Sequence, residues 1–161
     1  MDNVTLLTVN IRDEYALISA FMRGLHESER ELNSRTALWD DIEVAYMRHI
    51  IAMQEEYDGL CIVAYADGKP AGVIMGYIEE EDDSRFEEPA GDMLYISDGY
   101  VKPEYRRMGV YRMLNRAIEK HYTSRGIRRI YRFTLCANSG MRKLLEQEGY
   151  MATRVLYEKW L

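Results

Sequence analysis

The stretch of this chain best suited to chemistry is residues 100–111, Tyr-Val-Lys-Pro-Glu-Tyr-Arg-Arg-Met-Gly-Val-Tyr. It passes from an apolar run through a proline turn into the start of a helical pattern. A helix start presents unpaired backbone N–H groups and a partial positive charge, which together suit a phosphate. Gly109 would let backbone approach such an anion closely, and Arg106 and Arg107 add charged donors at the mouth. A solvated strand-to-helix turn with ordinary basic residues stands beside that reading on charge and glycine alone. Eight arginines fall between Arg106 and Arg132, so a small anionic ligand could bind in this stretch. An acidic run of Glu79, Glu80, Glu81, Asp82, Asp83, Glu87 and Glu88 could attract a cationic amine, although a solubilising loop is the commoner role. His26, His49 and His121 are scattered, and His26 with Glu29 is too sparse for a metal site, so no metal is expected. Cys61 and Cys136 each sit in an apolar run and are expected to be small buried hydrophobes.

The elements that must position these residues can be read along the chain. Residues 4–9 form a β-branched run expected to be a first strand. Leu17, Ile18, Phe21, Met22 and Leu25 recur at helical spacing behind Asp13 as an expected cap, with Gly24 inside the pattern. Ile42, Ala45, Tyr46, His49, Ile50 and Met53 make a second helical stripe, led by Asp40 and Asp41 and ending near Asp58 and Gly59. Residues 60–66 and 71–78 read as two strands joined through Asp67-Gly68-Lys69-Pro70, a hairpin. Residues 93–101 read as a third strand of that group, and Gly99 within it marks a bulge or a close backbone approach. Val110, Met113, Leu114, Ala117, Ile118 and His121 then form the clearest helical stripe, closed by Arg125-Gly126. Residues 130–137 read as a strand, Asn138 or Ser139 as the cap of a short helix stopped by Gly149, and residues 153–160 as a last strand. The expected architecture is one mixed α/β domain over residues 1–161, in the order β-α-α-β-β-β-α-β-α-β, with at least one parallel pairing across a helix.

With that order in place, the chain resembles the GCN5-related N-acetyltransferases. Their signature is Gln or Arg, two residues, Gly, one residue, then Gly or Ala. Here it becomes Arg106-Arg107-Met108-Gly109-Val110-Tyr111, preceded by Val101 and Pro103 and followed by Asn138 and by Glu148-Gly149-Tyr150. The resemblance covers nearly the whole chain. It implies a central mixed, mostly antiparallel sheet flanked by helices, and acetyl-CoA as cofactor. It further implies that the turn from Arg107 to Tyr111 holds the CoA diphosphate, that Val101 pairs with the pantetheine arm, and that Asn138 contacts pantetheine or water. A role for Asn138 as a helix cap is compatible with this. Two positions depart from the family pattern: Tyr111 stands where Gly or Ala is expected, and the family's frequent tyrosine general acid falls on Leu145.

The resemblance also implies an activity, transfer of an acetyl group to a primary amine of a small molecule or peptide. An amine with a pKa of roughly 10 is mostly protonated at neutral pH, so something must accept a proton. Asp98, on the strand beside the implied acetyl site, is the carboxylate suited to act directly or through water; a solvated Asp is the alternative. Tyr100, Tyr111 and Tyr150 are the tyrosines placed to protonate the leaving thiolate, unless water does so. A second reading is a catalytically weak acyl-CoA-binding sensor of the same fold, which Leu145 keeps open.

Composition bounds the remaining classes. At 161 residues with 47% hydrophobic side chains the chain can bury a core without disulfide or metal staples. A net charge of -6 argues against general nucleic-acid binding, which needs an excess of Lys and Arg. Residues 1–12 lack a secretory pattern and no stretch approaches a bilayer span, so a cytoplasmic protein without membrane contact is expected. Tyr157, Trp160 and Leu161 offer apolar surface for a partner chain, a homodimer being the expectation.

Overall fold

β-Branched and apolar runs bounded by turn residues become strands, and runs with helical spacing become helices packed on them. A computed structural model describes residues 3–81 and 88–161. Asp82, Asp83 and Glu87 of the acidic run lie outside the described residues. Strand β1 (Val4–Thr8) leads to helices α1 (Tyr15–Leu32) and α2 (Trp39–Glu56), followed by β2 (Leu60–Ala66), β3 (Lys69–Glu79) and β4 (Met93–Val101). A 3-10 turn (Pro103–Tyr105) then precedes α3 (Val110–Thr123), β5 (Arg129–Tyr131) and α4 (Ser139–Gln147). The five strands lie in the order β1-β2-β3-β4-β5. The first four pair antiparallel, and α3 is the crossover that makes β4 and β5 parallel.

Each face of the sheet is covered by helices. On one side Phe21 and Met22 of α1 and Met47 and Ile50 of α2 pack on Cys61, Val63, Val73 and Met75. On the other, Val110, Leu114, Ile118 and Tyr122 of α3 pack on Ile62, Ile74, Leu94 and Ile96. These side chains are nearly all fully buried, and each contributes about 1.5–3 kcal/mol of hydrophobic stabilisation. Cys61 belongs to the first layer; burial pushes its thiol up to about 12, so it behaves as a small hydrophobe.

Several expectations are corrected. Asp13 does not cap α1: Asn10 Oδ1 accepts the N–H groups of Arg12 at 2.9 Å and Asp13 at 3.2 Å, and this side-chain turn leads the chain into the helix. The hairpin uses only Asp67 and Gly68, both in the left-handed region, so β3 begins at Lys69 with Pro70 inside it. The strand expected over 130–137 is limited to Arg129–Tyr131, because β4 bulges away just past the residues it pairs with. Cys136, expected buried, is consequently exposed. Residues 153–160 make no strand, and every residue from 151 to 161 is exposed. No helix among the described residues is long and apolar enough to cross a membrane.

Candidate active site

The site begins with a defect in β4. Met75 pairs with Asp98 and Tyr77 with Tyr95, so Ile96 and Ser97 together face the single residue Gly76. This bulge swings the second half of β4 off the line of β5, which pairs only with Met93, Leu94 and Tyr95. Beyond it the edge of β4 is uncovered by β5. Lys102 N donates to Ala71 O at 2.9 Å, which sets the phase of the ladder. Residues 98 and 100 exchange their bonds with β3, whereas Gly99 and Val101 turn theirs toward the open edge. The Val101 carbonyl there accepts from Arg106 Nε at 2.9 Å.

At the end of that edge lies the turn into α3. Arg107 and Gly109 both adopt left-handed backbone, with φ of 63° and 81°. Gly109 is the N-cap of α3 and supplies no side-chain bond, and Met113 N already takes its carbonyl. The N–H groups of Val110, Tyr111 and Arg112 therefore have no backbone acceptor among the described residues and open outward beside exposed Arg107 and Met108. Arg106 is spent on bracing: besides Val101 it donates to Ser28 Oγ at 3.2 Å and lies over the Tyr100 ring.

On the α1–α2 face, the bulge brings Asp98 inward. It is 5% exposed, accepts from Ser97 Oγ at 2.6 Å, and accepts a short bond from the Tyr46 hydroxyl of α2. Burial and the neighbouring Asp98 carboxylate raise the Tyr46 pKa far above its ordinary value, so Tyr46 remains a donor. Around the pair, Tyr46 meets the His26 ring edge-on at 4.8 Å and Trp39 at 5.5 Å, and His26 Nδ1 lies 3.0 Å from Met22 O. Trp39 Nε1 is buried without a hydrogen-bond partner. Half-buried Glu29 has its pKa raised by desolvation, partly offset by His26. Tyr95 stacks on Tyr131 at 4.9 Å and meets Phe133 edge-on at 5.9 Å, and the Tyr131 hydroxyl donates to Glu79. The result is a cluster of carboxylates and aromatic rings on this face of β4.

The comparisons with known proteins complete the geometry. Residues 21–150 match the model of the Acetyltransferase (GNAT) family. The chain belongs to that family. Acetyl-CoA is accordingly the acyl donor of this GNAT acetyltransferase, and its enzyme class is acetyl-CoA-dependent N-acetyl transfer. A possible acetyltransferase from Clostridium difficile 630 shares the fold at a TM-score of 0.71 and 20% identity, covering 98% of this chain and 97% of that one. The aminoglycoside N-acetyltransferase AAC(6')-Iy, solved with CoA, aligns at 0.68 and 20% identity over 98% and 95%. An aminoglycoside acetyltransferase from an uncultured soil metagenomic sample, solved with sisomicin, aligns at 0.66 and 16% identity over 98% and 95%. No curated protein matches the sequence significantly.

Within this GNAT domain the residues singled out from sequence separate into four places. Val101, Arg106, Arg107, Met108, Gly109, Val110 and Tyr111 line the open edge and the turn that follows it. Asp98 lies one residue along on the opposite face, with Tyr100 beside it against α1, where a Cβ on Gly24 would stand 2.6 Å from its Oη. Tyr150 is elsewhere: its hydroxyl donates to Glu119 of α3 in a structural network. Asn138 caps α4 by accepting Met141 N at 3.0 Å. Sequence reasoning missed Tyr46 as the partner of Asp98 and Arg132 as the partner of Tyr111; both depend on folding distant segments together. Tyr46 was visible only as a polar-tipped member of the α2 stripe.

Proposed function

We propose that the protein transfers the acetyl group of acetyl-CoA to a primary amine of a cationic small molecule or peptide. The observation that carries this reading is buried Asp98, placed by a bulge next to the uncovered edge of β4 on the face packed by α1 and α2. The unpaired amides of Val110, Tyr111 and Arg112, beside Arg107, would hold the diphosphate. The outward groups of Gly99 and Val101 would pair with the amide-bearing arm as an added strand would. The donor set therefore fits CoA, which supplies an activated acetyl thioester when bound.

The acceptor would enter between α1, α2 and β4. Glu29, Glu79 and the rings of Tyr46, Tyr95 and Tyr131 favour a cation there, by charge and by cation–π attraction. Asp98 accepts the amine proton directly or through water, and Tyr46 orients that carboxylate by donating to it. Outward N–H groups on β4 offer polarisation of the reacting carbonyl. Aminoglycosides, acted on by the two neighbours named for them, are one kind of cationic amine suited to such a cluster. Exposed Leu156, Tyr157 and Trp160 support a homodimer, which light scattering would register as twice the chain mass.

The test follows free CoA thiol while acetyl-CoA is incubated with a panel of amines. Amine-dependent release is expected, and Asp98→Asn should lower kcat about 10²-fold at neutral pH, the loss narrowing as pH rises and the amine loses its own proton. Tight CoA binding with no amine-dependent thiol would instead support the sensor reading.

A further inference from the structure

An acetyl transfer leaves a sulfur that takes up a proton, and the position of the family's frequent tyrosine general acid falls here on Leu145, which is buried and has none to give. The structure separates the remaining tyrosines. Tyr100 lies on the α1 face with its hydroxyl against Gly24, and Tyr150 gives its proton to Glu119. Tyr111 is different. Its ring lies on Gly99, so close that a Cβ there would stand 2.9 Å from Cε2. Its hydroxyl accepts from Arg132 Nη2 and donates to nothing among the described residues.

The position of this pair matters as much as its chemistry. Gly99 lies on the half of β4 that β5 does not cover, and Arg132 is the first residue past β5. Tyr111 and Arg132 thus bridge the opening between the two parting strands, on the α3 face, while Asp98 lies on the other face. Arg132 is fixed from behind: its Nη1 donates to Asn115 Oδ1 at 3.0 Å, and fully buried Asn115 donates to Glu119 Oε1 at 2.6 Å. Its Nε is buried with no hydrogen-bond partner, a spare donor beside the phenol. Burial raises the Tyr111 pKa against the lowering effect of Arg132, so the phenol keeps its proton at neutral pH.

We propose that Tyr111 is the general acid that protonates the departing CoA sulfur, and that Arg132 is a positioning residue that turns the hydroxyl toward it. The residue that breaks the glycine motif thereby takes over the proton transfer that Leu145 cannot perform. As the acceptor nitrogen forms its bond to the acetyl carbon, the carbon–sulfur bond breaks and sulfur keeps the electron pair. The Tyr111 O–H proton passes to that sulfur, leaving a phenolate beside the Arg132 guanidinium, and water returns the proton. Asp98 passes the proton taken from the ammonium on to solvent before attack and then receives the acceptor nitrogen's surplus proton, so charge and protons balance. The proposal rests on the acetyl-transfer reading, and its test is chosen to separate the two.

The test compares wild type with Tyr111→Phe, which keeps the ring on Gly99. In the turnover assay kcat should fall about 10²-fold with KM for acetyl-CoA within about twofold, and the solvent deuterium isotope effect on kcat should disappear. Independently of turnover, free CoA is bound and its thiolate absorbance is followed with pH. A thiolate that accepts from Tyr111 near Arg132 should ionise about one pKa unit lower on wild type than on Tyr111→Phe. Arg132→Lys should move it part of the way. Equal thiol ionisation on wild type and Tyr111→Phe, or an isotope effect lost in Tyr150→Phe but kept in Tyr111→Phe, would overturn the proposal. Failure of wild type to acetylate any amine would overturn the function and leave the thiol titration to decide the role of Tyr111.

Discussion

The contact between Gly99 and Tyr111 makes a quantitative prediction. A methyl group on Gly99 would meet Tyr111 Cε2 at 2.9 Å and Cζ at 3.0 Å. Ordinary carbon contacts begin near 3.5 Å and the Tyr111 hydroxyl lies closer still, so the ring must retreat by at least about 0.6 Å. It cannot do so cheaply, because its hydroxyl is bonded to Arg132 and its backbone lies in the first turn of α3. Overpacking of this kind costs about 1–3 kcal/mol, equivalent to a fall in Tm of about 2–12 °C for a chain of this length. Gly99 has no positive φ, so the backbone itself accepts alanine. In a Tyr111→Ala background the obstruction is gone, and Gly99→Ala should be neutral or stabilise by up to about 0.5 kcal/mol through reduced chain entropy. Thermal or urea unfolding of the four proteins in this double-mutant cycle should give a coupling energy of about 1–3.5 kcal/mol. An equal cost of Gly99→Ala in both backgrounds would refute the placement of Tyr111 across the opening.

Other consequences can be checked alongside. Gly109→Ala forces an L residue to φ near 81°; about 1 kcal/mol of stability should be lost, and CoA affinity measured by calorimetry should weaken about tenfold as the amide cradle shifts. Glu148 is held below the usual carboxylate range by its hydrogen bond to Arg116, with Arg112 paired at 2.6 Å. A lowered carboxylate pKa stabilises the fold above the unfolded value of about 4.3 and loses that contribution as pH falls through the folded value; the stability gap between wild type and Glu148→Gln should therefore close in acid. Deleting residues 151–161 removes only exposed side chains, so the monomer's Tm should move by less than about 2 °C, and a larger drop would mean those residues are buried in an assembly.

Much of this molecule was legible because its instructions are local. Asn138 caps α4 as its position before the helical stripe implied, and Arg106 to Tyr111 lie on the turn into α3 as the glycine motif implied. Gly99 was expected to mark a bulge or a close approach, and it is the close approach, while the bulge falls at Ile96 and Ser97 opposite Gly76. What was not legible depends on distant partners. The bond from Tyr46 to Asp98 spans 52 residues, and that from Arg132 to Tyr111 spans 21, with no periodicity to announce either. The shortened β5 has the same origin: residues 132–137 have strand-like composition, but the bulge in β4 removes the strand they would pair with. Residues 153–160 have the alternation of a strand but pair with no strand among the described residues.

Acetyl transfer to an amine is tested most directly by the mass of a primary amine recovered after incubation with acetyl-CoA and the purified protein. A gain of one acetyl group on nitrogen, formed in step with free CoA and abolished by heat-denaturing the protein, is the predicted result. An unchanged amine across cationic small molecules and lysine peptides, with CoA still bound, would contradict it.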